Sequence, residues 1–213
     1  MSRPPDPAMR SRILDAADRL LVRHGFRRMT VDGVAVEAGI GKGSVYLHFD
    51  SKEDVALSCI DRMAAGVAAR LEAIAAGPAP AARRLRAMLR ARVLDRFDYA
   101  RRHAPSIDEK LAVMRQAMLE RRARHFAAEA AVLDRVVEQG RRAGELTPGP
   151  PDVGRALVTA TNALLPYSLS TREIGRRAAL ARAAEQVIDL LLAGLAGPHA
   201  KPRTTRSRTR RKP

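Results

Sequence analysis

Apolar residues recur three and four positions apart along almost the whole chain, and no stretch alternates β-branched residues as a half-buried strand would. That periodicity predicts an all-α protein. Its first instance is Ile13, Ala16, Ala17, Leu20, Leu21 and His24, one face of a helix that Gly25 should stop. Thr30 then precedes VDGVAVEA, where its hydroxyl can cap a short second helix that carries Val31, Val34 and Ala35 inward and ends at Gly39. Ile40 to Phe49 makes a third short helix. Ser51, with Asp54 three residues on, forms a capping box (Asp replacing the usual Glu) for a fourth helix, which Pro78 and Pro80 close. Further helices are expected from about Ala82 to Arg102, from about Asp108 to Ala143 with a break, and from Asp152 towards Leu165, with PGPP at 148–151 as a boundary. Pro166 should kink or end its helix, and Ser170 with Glu173 should cap a last one to about Leu195. Ile174, Ala178, Ala181, Ala184, Ile188, Leu191 and Leu195 make a continuous apolar stripe along it.

With 213 residues, 46% of them hydrophobic, the chain can bury a real core. No apolar run approaches the roughly 18–20 residues of a membrane span, and the opening MSRPPDPAMRSR lacks the apolar centre of a signal peptide. A cytoplasmic protein without a membrane partner is expected. The single cysteine, Cys59, cannot close an internal disulfide and has no second thiol or spaced histidine beside it to hold a metal. It should be buried and inert, and no cofactor is expected. The net charge of +16 points to a polyanionic partner, but its distribution is uneven. Residues 1–54 carry nine basic against eight acidic side chains, whereas residues 201–213 carry seven basic and none acidic. Any nucleic-acid binding by the N-terminal part must therefore rest on arrangement and not on net charge.

The stretch GIGKGSVYLHFDSKEDV, residues 39–55, is rich enough in glycine to resemble a phosphate cradle. The nucleotide-hydrolase loop fails because the position five before the GK pair holds Val36, and the dinucleotide fingerprint fails at Ser44, where a third glycine belongs. Two short helices joined by a tight glycine turn, with a third behind them, instead form a helix-turn-helix. Gly39 supplies the turn. Ile40, Val45 and Phe49 then point inward, while Lys42, Ser44, Tyr46 and His48 are free to face outward. Gly41 and Gly43 leave the leading end of this helix without side chains, so that backbone amides can approach a phosphate closely.

Over residues 10–55, the pieces ILDAADRLLVRHGF, TVDGVAVEAGIGKGSVYLHF and SKEDV resemble, in order and spacing, the DNA-binding head of the TetR family of bacterial transcriptional regulators. The resemblance implies a helix-turn-helix domain over 1–55 and a helical effector-binding and dimerisation domain over 56–198; the basic tail over 199–213, which lacks apolar periodicity, should be disordered. Gly41 departs from the family, many members of which carry a capping serine there. By the resemblance, Thr30, Lys42, Gly43 and Ser44 should approach phosphates or base edges, Tyr46 and His48 should touch the backbone or thymine methyls, and Lys52 should hold the flanking phosphate. His48 has a second reading, as a cap of its own helix or a packing group against the first.

The resemblance further implies a homodimer on a near-palindromic operator. Val158, Leu165, Ala181, Ala184, Ile188, Leu191 and Leu195 are the expected interface, with burial inside their own subunit as the competing reading. It also implies an effector pocket between the middle helices, with Phe97, Tyr99, Met114, Met118, Phe126, Asn162 and Tyr167 as the candidate wall or, alternatively, ordinary core. The function implied is a repressor released by a small molecule. An effector-independent or architectural DNA binder is the alternative, and a helical carrier or enzyme the remote one, since the five histidines are scattered and form no catalytic set by spacing. The tail is either a solvated end or an arm adding non-specific phosphate contacts.

Overall fold

The computed structural model describes residues 6–164 and 175–196, with side chains omitted at 105–108 and 110–112. Every element among the described residues is helical: α1 (Pro7–Arg28), α2 (Val31–Ala38), α3 (Lys42–Tyr46), α4 (Lys52–Ala75), α5 (Ala81–Arg102), α6 (Ala104–Arg142), α7 (Val153–Asn162) and α8 (Arg177–Ala196). No described helix is long and apolar enough to cross a membrane.

The local chemistry follows the expected caps. Asp6 accepts from the Ala8 amide at 2.9 Å, Thr30 from Gly33 at 3.0 Å, and Ser51 from Asp54 at 3.1 Å, so each of these helices has a donor satisfied at its start. Gly25, at φ 79° and ψ 172°, breaks α1 before its last residues, and Gly39, at φ 63° and ψ 43°, ends α2 in the left-handed region that other residues rarely enter. The third helix is shorter than the sequence predicts, because Leu47 and His48 turn out of it, although Phe49 still reaches the core. The break anticipated in the long middle helix falls at Met114, where φ is −122° and ψ 20°. The Ser170–Glu173 box lies outside the described residues, as do Ile174 and the tail.

Two apolar clusters form. One gathers Ile13, Leu21, Phe26, Val34, Val45, Phe49 and Val55 from α1 to α4, together with Met114 of α6. The other gathers residues from Val67 to Leu192 on α4 to α8. They meet along α4, whose Cys59 belongs to the first and whose Val67 belongs to the second. Cys59 is buried, as its isolation in the sequence implies.

Polar contacts fix the seam between the clusters. His103, buried at the joint of α5 and α6, bonds Asp18 of α1 through Nε2 at 2.9 Å and the Tyr99 carbonyl through Nδ1 at 2.9 Å. Burial alone would raise the Asp18 carboxyl, but the His103 bond, with the charges of His103, Arg62 and Arg102, holds it below the usual carboxylate range. Its contribution to stability is therefore present above the ordinary carboxylate pKa and is lost as pH falls through the lowered value. Farther along, Arg121 of α6 reaches both Asp61 and Asp54 of α4, and His125 Nε2 lies 3.0 Å from Asp61.

The larger cluster encloses a buried polar group. Glu129 accepts from Arg92 Nε at 2.9 Å and from Arg96, while Arg92 also donates to Thr161, to the Val158 carbonyl at 3.3 Å and to Asn162 at 3.0 Å. Both guanidinium groups sit over the Phe126 ring, at 5.3 and 5.5 Å from its centre. α5, α6 and α7 are thereby tied by directional bonds as well as by apolar contact.

The candidate effector wall and the candidate dimer residues are dispersed in this arrangement. Of the candidate effector wall, Met114 belongs to the N-terminal cluster and Met118 packs against it, because the first part of α6 lies on α1 and not over the middle of the body. Phe97 is closed core, Phe126 and Asn162 serve the Arg92–Glu129 group, Tyr99 lines a cavity at the seam, and Tyr167 lies outside the described residues. Of the candidate dimer residues, Val158, Ala184 and Ile188 are 4%, 0% and 0% exposed. Their side chains lie in the chain's own core, the competing reading of that stripe. Leu191 and Leu195 pack half-buried on the same core, Ala181 is half-buried, and Leu165 lies outside the described residues. The face of α8 left outward carries Arg182, Gln186, Leu190, Ala193 and Gly194, with Leu190 77% exposed.

Candidate nucleic-acid interface

α2 and α3 are held by what lies behind them. Val34, Ala35 and Ala38 of α2 and Val45 of α3 are buried against α1, while Glu37 accepts from Arg19 Nε and Arg23 Nη2, both at 2.6 Å, and so ties α2 to the outer side of α1. Exposed ion pairs of this kind contribute at most about 1 kcal/mol each, so the apolar contacts set the position and the arginines trim it. Along α3 and just after it, the side chains left outward are Lys42, Tyr46 and Leu47, with the two bare glycines Gly41 and Gly43. A Cβ at either glycine would meet no atom within 4 Å. Nothing inside the chain requires these positions to be glycine.

The expected site residues fall into two groups. Lys42, Gly43 and Tyr46 are exposed and Ser44 is half-buried, all on the third helix. Thr30, Lys52 and His48 are already engaged or turned in. The Thr30 oxygen holds the cap of α2. The Lys52 ammonium lies 3.4–3.5 Å from the carbonyls of Phe26, Arg27 and Met29 and 4.6 Å above the centre of the Phe26 ring. It closes the frayed end of α1, where a cation complements the helix dipole. His48 is half-buried with Nδ1 turned inside, its ring tilted 41° to that of Phe49.

Three features of this surface lie outside the expected set. Lys42 pairs with Asp32 of α2 at 3.0 Å, and this hydrogen bond and charge raise the lysine above its ordinary range. The carboxylate comes from the first turn of α2, where it favours the helix N-terminus. Leu47 is 73% exposed and Val36 81% exposed, so the outward surface is partly apolar. For Leu47 the sequence does hold a signal: two residues after the buried Val45 is about 200° round a helix and points away from the core.

α3 begins without a side-chain cap, because Gly41 offers no oxygen. Its φ of −72° and ψ of 149° suit a serine without strain, and the space is open. Gly41→Ser is expected to raise unfolding stability by a few tenths of a kcal/mol, read by urea denaturation.

A helix-turn-helix unit mounted on a larger helical body is the class of protein that this fold and surface define. Residues 13–59 match the family model described as "Bacterial regulatory proteins, tetR family". Over 52 residues the chain is 42% identical to the uncharacterized HTH-type transcriptional regulator YerO of Bacillus subtilis, a match covering 24% of this chain and 18% of that protein. Curated relatives are matched over less than half of their own lengths. The likeness of the fold runs further. A transcriptional regulator of the TetR/AcrR family from Thermobifida fusca superposes with a TM-score of 0.61 at 25% identity, covering 87% of this chain and 97% of that one. The regulator FadR of Bacillus subtilis, solved in complex with stearoyl-CoA, superposes with a TM-score of 0.60 at 19% identity, covering 87% of this chain and 98% of that one. Residues 13–59 thus carry the DNA-binding head of the TetR family, and the fold of the chain is that of TetR/AcrR regulators of known structure.

Proposed function

We propose that this chain is a dimeric, effector-controlled DNA-binding regulator that places α3 in the major groove of an operator half-site. The observation that carries the reading is the surface of α3. It is positioned by buried Val45 and Phe49, it presents Lys42, Tyr46 and Leu47 outward, and it is bare at Gly41 and Gly43, where the chain's own packing asks for no glycine. A bare leading turn lets amides approach phosphate, an amphipathic tyrosine can bond the backbone while its ring lies on sugar or thymine methyl, and Leu47 adds apolar contact. Lys42 reaches a phosphate by exchanging Asp32 for it. Lys52 acts by holding the end of α1 in place, and its phosphate contact would require release of at least one of its carbonyls. Two-fold pairing through the outward face of α8 would space two such helices about 34 Å apart, on successive turns of one face of the duplex.

Tyr46→Ala and Lys42→Ala are each expected to weaken operator binding by about 1–3 kcal/mol, with fold and oligomeric state unchanged. Fluorescence anisotropy on DNA from upstream of the protein's own gene, against shuffled sequence at matched salt, reads the effect. Parent-like affinity in both variants would remove α3 from the interface. An equal affinity of the parent for both duplexes would favour the architectural alternative. Control by a small molecule is supported by the larger helical body, and by FadR of Bacillus subtilis, a protein of similar fold solved with an acyl-CoA.

A further inference from the structure

A cavity of about 310 Å³ opens where α1, α4 and α5 meet, at the seam between the two apolar clusters. Its size is at the lower end for small-molecule sites. Met63 and Val67 give it an apolar side, and Gly66 keeps one wall low, since a Cβ there would meet no atom within 4 Å.

The polar side is unevenly satisfied. Asp18 is bonded to His103 at 2.9 Å, Arg62 donates to Asp15 at 2.5 Å, and Asp95 accepts from Arg70 at 2.5 Å. Two polar groups remain. Arg102 stands exposed on the rim, with no hydrogen bond or ion pair among the described residues. The Tyr99 hydroxyl is buried and lacks a partner among them. Burial pushes that phenol far above its ordinary range, and the charges that act on it include Asp18, Arg62 and Arg102, all of which line the cavity. The hydroxyl is therefore a neutral donor at the cavity's base, and a buried donor of this kind calls for an acceptor.

We infer that this seam cavity binds a small monocarboxylic acid, its apolar body against Met63 and Val67 and its carboxylate between the Tyr99 hydroxyl and the Arg102 guanidinium. An acceptor-only anion satisfies both open donors at once, whereas a cation would meet Arg102 and an amide would turn a donor towards one of them. The cavity is lined by α1 of the head and α5 of the body, so an occupant that enlarges it changes the angle between the two. That consequence for DNA rests on the proposed regulator function; the binding itself does not.

Titration calorimetry on the DNA-free protein tests the site, with benzoate and hexanoate as probes and benzamide and hexanamide as their neutral counterparts. At least one acid should bind saturably, one per chain, and at least about tenfold more tightly than its amide, the equivalent of about 1.4 kcal/mol. Tyr99→Phe and Arg102→Gln should each weaken it about tenfold or more; the first removes only an unpartnered hydroxyl and the second alters an exposed side chain, so both fold. Gly66→Leu should fill the cavity and abolish binding, while Gly66→Ala folds at least as well as the parent and retains it. Failure of both acids to bind, equal binding of acid and amide, or undiminished binding by Gly66→Leu would each overturn the site. Operator affinity with and without the acid is a separate measurement, so the site and the regulator function fail independently.

Discussion

Glu129→Gln is expected to destabilise the folded chain by about 3–5 kcal/mol, the range for breaking a buried ion pair by removing one partner. Arg92 and Glu129 are both 0% exposed, and Arg96 is 4% exposed. One carboxylate is shared by two guanidinium groups, and an amide in its place carries no charge and turns an N–H₂ towards at least one of them. Chemical denaturation reads the loss as a lower midpoint at an unchanged slope. A midpoint equal to the parent's would mean that the group contributes nothing to stability. Replacing all three together by apolar residues of similar volume is expected to cost far less, because it removes the desolvated charges along with their attraction.

In the proposed dimer paired through α8, Leu190→Glu is expected to leave each subunit folded but to separate the pair. The side chain is 77% exposed, so the change costs its own subunit little, and a carboxylate placed on a two-fold face meets its own copy. Sedimentation should move from twice the chain mass to once, and operator affinity should fall about 10²–10⁴-fold as two linked half-site contacts become one. An unchanged mass would place the interface elsewhere. The parallel substitution Ile188→Glu separates packing from pairing: Ile188 is wholly inside its own subunit, so that variant should fail to fold.

The N-terminal head is legible in the sequence because its signals are local. Thr30, Gly39 and Ser51 act within four residues of themselves and form the caps and turn their chemistry implies, whereas the Asp54 carboxylate accepts from the Asp50 amide at 3.4 Å and not from Ser51, leaving the box half made. The inward set of Val45 and Phe49 follows from helical spacing alone. What spacing does not reveal is which side of a two-faced helix meets which neighbour. α8 carries leucine or isoleucine at 188, 190, 191, 192 and 195, and only its packing on α5 and α7 decides that Ile188 and Leu192 turn in and Leu190 out. Spacing does not reveal which cluster takes Met114 and Met118 for the same reason: α6 is long enough to cross both, and its register against α1 is a tertiary fact. Lys42 looks free in the sequence because Asp32, ten residues earlier, shares no helix with it.

Met114 has one more consequence. The head fills its interior with a side chain from a helix that begins only after the whole of α5, and the Arg27 amide donates to Glu109 of that same helix at 2.8 Å. A fragment cut after α4 would leave a methionine-sized void in the DNA reader and take away the carboxylate that holds the Arg27 amide. The reader is thus an incomplete folding unit, and the stretch around Met114 and Glu109 is a tenon by which the rest of the molecule keeps it in shape.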